Sequence, residues 1–191
     1  MTKLLLKQLS LCVLMLLALA CRQSPAGQEG AMQVVDPVDN QAQPTVVYVV
    51  RHAEKDISDP GNQDPGLTPE GQTRAEALRE LLQPQQVDAL YATKYTRTRS
   101  TLKPLAEERK LEVLQYEAND FNGLKQRILS NNQGQTVVVA GHSNTLLPML
   151  EAFGAKRPVP DISELEYSYL FKVTLAADGT ATVETNRYGS Q

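Results

Sequence analysis

The chain has only two histidines, and both stand in the same local setting. His52 follows the run Thr45-Val46-Val47-Tyr48-Val49-Val50-Arg51, and His142 follows Thr136-Val137-Val138-Val139-Ala140-Gly141. Each run is short, apolar and rich in β-branched residues, as in a strand buried on both faces. Ligands of open α/β sheets gather in the crevice outside the carboxyl ends of such strands. Two rare titratable side chains at two strand ends therefore predict one shared site. Arg51 adds a cation beside His52. The stretch Thr93-Lys94-Tyr95-Thr96-Arg97-Thr98-Arg99-Ser100-Thr101 brings hydroxyls and further cations to a strand-to-helix transition. Free N–H groups and the dipole at a helix start favour an anion there.

Gathered at strand ends, Arg51, His52, Arg97, Arg99 and His142 suit a dianionic phosphoryl ligand, because Arg offers planar paired donors to phosphate oxygens. Other phosphoryl chemistries are excluded by what the chain lacks. It has no Gly-rich loop ending in Lys-Ser/Thr and no Cys-x5-Arg loop within the predicted domain. Arginines flanking both imidazoles make a pocket hostile to a divalent cation, so neither a metal nor a cofactor is expected. That leaves histidine itself as the nucleophile. The formal net charge is −3, so no basic field for nucleic acid exists and the anion site must be built locally.

The elements that must hold these residues alternate. After the first strand, Asp56 to Leu67 is dense in turn formers and forms a predicted rim or lid. Thr68 caps a helix with Pro69 in its first turn and Ala75, Leu78, Leu81 and Leu82 as its core face. Strands are predicted over Val87 to Ala92 and Leu111 to Tyr116. Helices follow each, the second using Leu124, Ile128 and Leu129. The strand ending at His142 leads into a helix carrying Leu146, Leu147, Met149 and Leu150. Tyr167 to Leu175 and Thr180 to Thr185 form a hairpin around Asp178-Gly179. The fold class is α/β, a three-layer αβα sandwich with a mixed central sheet.

The amino terminus is read as a targeting segment. Lys3 and Lys7 precede the uncharged apolar run Leu9 to Ala20, too short to span a bilayer and suited to a cleaved signal peptide. Losing both lysines would take the net charge from −3 to −5. Ala18-Leu19-Ala20 before Cys21 resembles a bacterial lipoprotein signal, which implies acylation of Cys21. The expected division is 1–20 signal peptide, 21–44 flexible tether and 45–191 folded domain. As a flexible coil, the segment from Arg22 to Pro44 would reach about 26 Å. The protein is expected to be exported to the bacterial cell envelope as a periplasm-facing membrane lipoprotein, or else to be soluble in the periplasm or secreted.

Arg51-His52 after its strand, Leu67-Thr68-Pro69-Glu70-Gly71, the segment Tyr91 to Thr101 with Arg97, and Gly141-His142-Ser143 occur in one order. In that order the chain resembles the histidine phosphatase superfamily, the phosphoglycerate-mutase-like family. It is most similar to the small single-domain branch near the phosphohistidine phosphatases. The resemblance implies that His52 attacks phosphorus through one ring nitrogen while its other N–H is held by a backbone carbonyl. It implies that Arg51 and Arg97 clamp the phosphoryl oxygens and that His142 completes the pocket, with Arg99 and Ser143 as further candidate substrate-binding residues. Glu117 is the implied proton donor to the leaving group, with Asp120 and Glu54 as alternatives; for Glu54 a surface ion pair with Lys55 is expected instead. Ala53 stands where the family has Gly, which requires a negative φ there. The implied activity is hydrolysis of a small phosphorylated substrate or a phosphoprotein. The alternatives are mutase-type phosphoryl transfer and a non-catalytic envelope module that binds a phosphorylated ligand.

Overall fold

The computed structural model describes residues 43–190. The predicted leader, Cys21 and nearly all of the predicted tether lie outside the described residues. The elements are β1 (Thr45–Arg51), α1 (Pro69–Leu82), β2 (Ala89–Ala92), α2 (Thr96–Arg109), β3 (Val113–Gln115), α3 (Phe121–Asn131), β4 (Thr136–Gly141), α4 (Ser143–Phe153), β5 (Tyr169–Leu175) and β6 (Ala181–Arg187). The six strands form one mixed sheet in the order β3-β2-β4-β1-β5-β6. The first four of these neighbours run parallel, and β5 and β6 close the other edge antiparallel.

Alternation along β1 builds both cores. Val47 and Val49 point into the cluster that holds Leu124 and Ile128 of α3 and Leu146, Met149 and Leu150 of α4. Tyr48 and Val50 point into the opposite cluster, with Leu78 and Leu82 of α1 and Leu102 and Leu105 of α2. A central strand sandwiched in this way gives the αβα layering that the uncharged run predicted. Full burial of Val47, Val49 and Val50 contributes about 1.5–3 kcal/mol each. Two expected core residues lie off the buried stripes. Leu81 is 45% exposed and Leu129 is 37% exposed, because each sits about 100° round its helix from its buried neighbour, Leu82 or Ile128.

Register sets the site. In the β1–β4 pair, Arg51 lies opposite Gly141, and the His52 N–H donates to the Gly141 carbonyl at 2.9 Å. The two histidines are therefore the next residues out of two adjacent parallel strands. The entry of α1 is fixed to the same point: the Thr68 N–H donates to the Glu54 carbonyl, and Thr68 Oγ1 accepts from the Gly71 N–H. A side chain at Gly71 would place Cβ 2.3 Å from the Glu54 oxygen. The glycine is needed for that close approach.

Candidate active site

His52 is almost fully buried at the end of β1. Its Nδ1 lies 2.8 Å from the Ala53 carbonyl oxygen, so Nδ1 carries the proton and Nε2 keeps its lone pair. Burial is the main cause that lowers its pKa to about 3, reinforced by Arg51, His142 and Arg97 against the opposing Ala53 bond. The His142 ring stands edge-on at 5.4 Å between centroids. Its pKa is lowered to about 4, first by burial and then by Arg97 and Arg51. Both rings are neutral near pH 7. The backbone that shapes this corner is tied from α2: Thr101 Oγ1 accepts from the Ala53 N–H at 2.8 Å and donates to the Arg97 carbonyl. Among the described residues, Lys110 alone of the non-glycines has positive φ, so Ala53 needs no glycine.

The two arginines differ from the simple clamp expected of them. Arg51 is 2% exposed, and its terminal nitrogens are already engaged. Nη1 lies within 3.1 Å of the carbonyls of Ser163, Glu164 and Glu166, and Nη2 donates to Glu164 Oε2 at 2.9 Å. The guanidinium is also stacked on Tyr167, 4.1 Å from the ring centroid. Arg97 lies over the Tyr95 ring at 4.3 Å and approaches Asp64 to 3.9 Å. In each arginine the buried Nε has no acceptor among the described residues. An unpaired buried donor is costly.

The other named residues sort by position. Ser143, the first residue of α4, donates its hydroxyl to Glu164 Oε1. His142 Nε2 lies 3.1 Å from Thr93 Oγ1, which is itself bonded to Thr98. Glu117 is exposed and lines a cleft of about 520 Å³ with Thr93, Lys94 and Tyr95. Asp120 shares that cleft, but its carboxylate caps α3 by accepting from the Gly123 N–H. Arg99 is exposed. It stands two residues from Arg97, about 200° round α2, so the helix that turns Arg97 inward turns Arg99 to solvent. The expected Glu54–Lys55 surface pair is also corrected. Glu54 is bound to the buried Arg74 at 2.8 Å, and Arg74 also donates to the Tyr188 and Ser190 carbonyls.

The Asp56–Leu67 loop is closed at its base by a Lys55–Leu67 bridge and by the Asp56 N–H bonding to the Gly66 carbonyl. Asp64 then reaches α2, accepting from the Thr96 N–H and hydroxyl. Lys55, Ile57, Pro60 and Arg97 line a second cleft of about 290 Å³ along this rim. Glu164, Tyr95 and Tyr167 are the site residues that sequence reasoning missed. Tyr95 sat inside a segment already marked by its cations. Glu164 gave no signal, because its arginine partner lies 113 residues away.

Comparisons with known proteins agree with this geometry. The family model for the histidine phosphatase superfamily (branch 1) matches residues 47–119, from β1 to the loop bearing Glu117. No curated protein sequence matches the chain. Among solved structures, the protein histidine phosphatase SixA complexed with tungstate has a TM-score of 0.61 at 17% identity, covering 74% of this chain and 96% of its own. YhfR of Bacillus stearothermophilus gives 0.60 at 18%, covering 76% and 98%. A mycobacterial glucosyl-3-phosphoglycerate phosphatase gives 0.58 at 12%, covering 78% and 100%. These likenesses establish a phosphoglycerate-mutase-like α/β fold.

Proposed function

We propose that this chain is a phosphatase that hydrolyses phosphomonoesters, or phosphoryl groups on protein, through a phosphohistidine on His52. The observation that carries the reading is the buried, neutral His52 ring, held at Nδ1 by the Ala53 carbonyl, edge-on to His142 and within the field of Arg51 and Arg97. In the first step, the Nε2 lone pair forms a bond to phosphorus as the ester P–O bond breaks. The leaving oxygen takes a proton from Glu117, across the cleft that Glu117 shares with Thr93 and Tyr95. Arg51, Arg97 and His142 stabilise charge on the equatorial oxygens. Water then attacks phosphorus, giving a proton back to the Glu117 carboxylate, as the P–N bond breaks with its electron pair returning to Nε2 and inorganic phosphate leaves. The family match over residues 47–119 and the phosphatases among the similar structures support this reading.

The test is an aryl phosphate turned over in EDTA and quenched. The expected result is an acid-labile phosphoryl adduct on the His52 peptide that is lost in His52→Ala. Equal hydrolysis by wild type and His52→Ala would end the proposal. Export with acylation at Cys21 belongs to the same proposal and rests on the leader sequence alone. Cys21→Ser should move the protein from the membrane to the soluble fraction, and unchanged partitioning would count against a lipid anchor.

A further inference from the structure

The loop between α4 and β5 places an acidic side chain against two residues assigned to phosphoryl binding. Glu164 Oε2 accepts from Arg51 Nη2 at 2.9 Å, and Oε1 accepts from the Ser143 hydroxyl. A carboxylate with its two oxygens on these donors occupies positions that two oxygens of a phosphoryl group could take. The backbone and the side chain of Glu164 are held differently. Three carbonyls of the loop, those of Ser163, Glu164 and Glu166, are gripped by Arg51 Nη1. The Glu164 side chain is 75% exposed, and its neighbour Leu165 is 90% exposed. Two hydrogen bonds hold this largely solvent-facing carboxylate. It can rotate away while the loop stays in place. The Ser143 bond, followed by Arg51 and Lys55, holds its pKa below the usual carboxylate value, so it is an anion at neutral pH.

We propose that Glu164 is a resident anion of the phosphoryl pocket. It holds Ser143 Oγ and Arg51 Nη2 until an incoming phosphoryl group displaces it, and so sets the threshold affinity for oxyanions. This inference rests on the phosphoryl-site reading above. A dianion and a carboxylate cannot share the same two donors, and their like charges repel at that distance. The resident carboxylate also meets the hydrogen-bonding needs of the buried Arg51, whose terminal nitrogens would otherwise lack a counter-charge.

Calorimetric titration with inorganic phosphate decides the matter without requiring turnover. Glu164→Gln keeps the shape and removes the charge, while Glu164→Ala removes both; either keeps the backbone carbonyls that hold Arg51. Both variants should bind phosphate about tenfold more tightly than wild type, and kcat/KM for an aryl phosphate should rise with it. Unchanged or weaker phosphate binding in both variants would overturn the proposal. So would a fall in kcat larger for an alkyl than for an aryl ester, which would mark Glu164 as a proton donor. Wild type that binds phosphate without hydrolysing esters would end the catalytic reading and leave this one to the titration. If neither wild type nor variants bind phosphate, both fall.

Discussion

At the scale of single residues, burial sets the protonation state of the two rings. His52 and His142 have pKa values lowered to about 3 and about 4, in both cases chiefly by burial. With only two histidines in the chain, an NMR titration of imidazole Cε1–H signals needs little assignment. Neither ring should titrate between pH 8 and pH 5; a midpoint near 6.5 would show a solvated imidazole. A second prediction concerns Glu117. If it protonates the leaving oxygen, Glu117→Gln should raise the ratio of aryl to alkyl ester turnover by about tenfold or more, since good leaving groups need no acid. The meeting of His52 and His142 at one corner, 5.4 Å apart between ring centroids, was legible in the sequence because His is rare here and both copies end apolar runs. The bonding of Arg51 was not legible. Its acceptors are carbonyls of a loop without periodicity, and nothing local marks a carbonyl as a partner. Arg99 faces solvent for a simpler reason: two residues along α2 from Arg97, the helical phase carries it to the other side.

At the scale of elements, the site depends on how closely α1 approaches the exit of β1. Gly71→Ala should put Cβ against the Glu54 carbonyl and cost about 1–3 kcal/mol, read from the midpoint of a urea transition. Activity should fall with it, since Glu54 lies two residues beyond His52. The opposite sign is expected at the end of α2. Lys110 closes that helix with φ of 55°, a conformation that costs a side-chain-bearing residue about 1–2 kcal/mol. Lys110→Gly should therefore raise the urea midpoint. Element types and order were legible because each signal is local. Thr68 and Pro69 mark a helix start, and Asp178-Gly179 marks the turn where Gly179 adopts φ of 85°. Strand order was not: nothing in the β1 run says that β4, rather than β2, pairs with it.

For the whole molecule, the lowered imidazole pKa values become a statement about acid stability. Between pH 6.5 and about 4 the unfolded chain binds protons on both histidines that the native state does not, and down to about 3 it does so on His52. Unfolding free energy therefore rises with pH across that window and falls as the solution is acidified. His142→Gln should flatten this slope in urea melts at successive pH values, and an unchanged slope would show that other groups dominate. The sandwich layering was legible because the predicted strands and helices alternate along the chain. The meeting of distant segments at one point was not, since it takes the pairing of β4 with both β1 and β2 and the hold of Arg51 on the loop before β5.

One contact joins the two ends of this architecture. The guanidinium of Arg51, beside the nucleophile, is tethered to carbonyls 112 to 115 residues further along. A chain cut short before Ser163 would therefore leave the Arg51 guanidinium without these acceptors and β1 without its β5 neighbour.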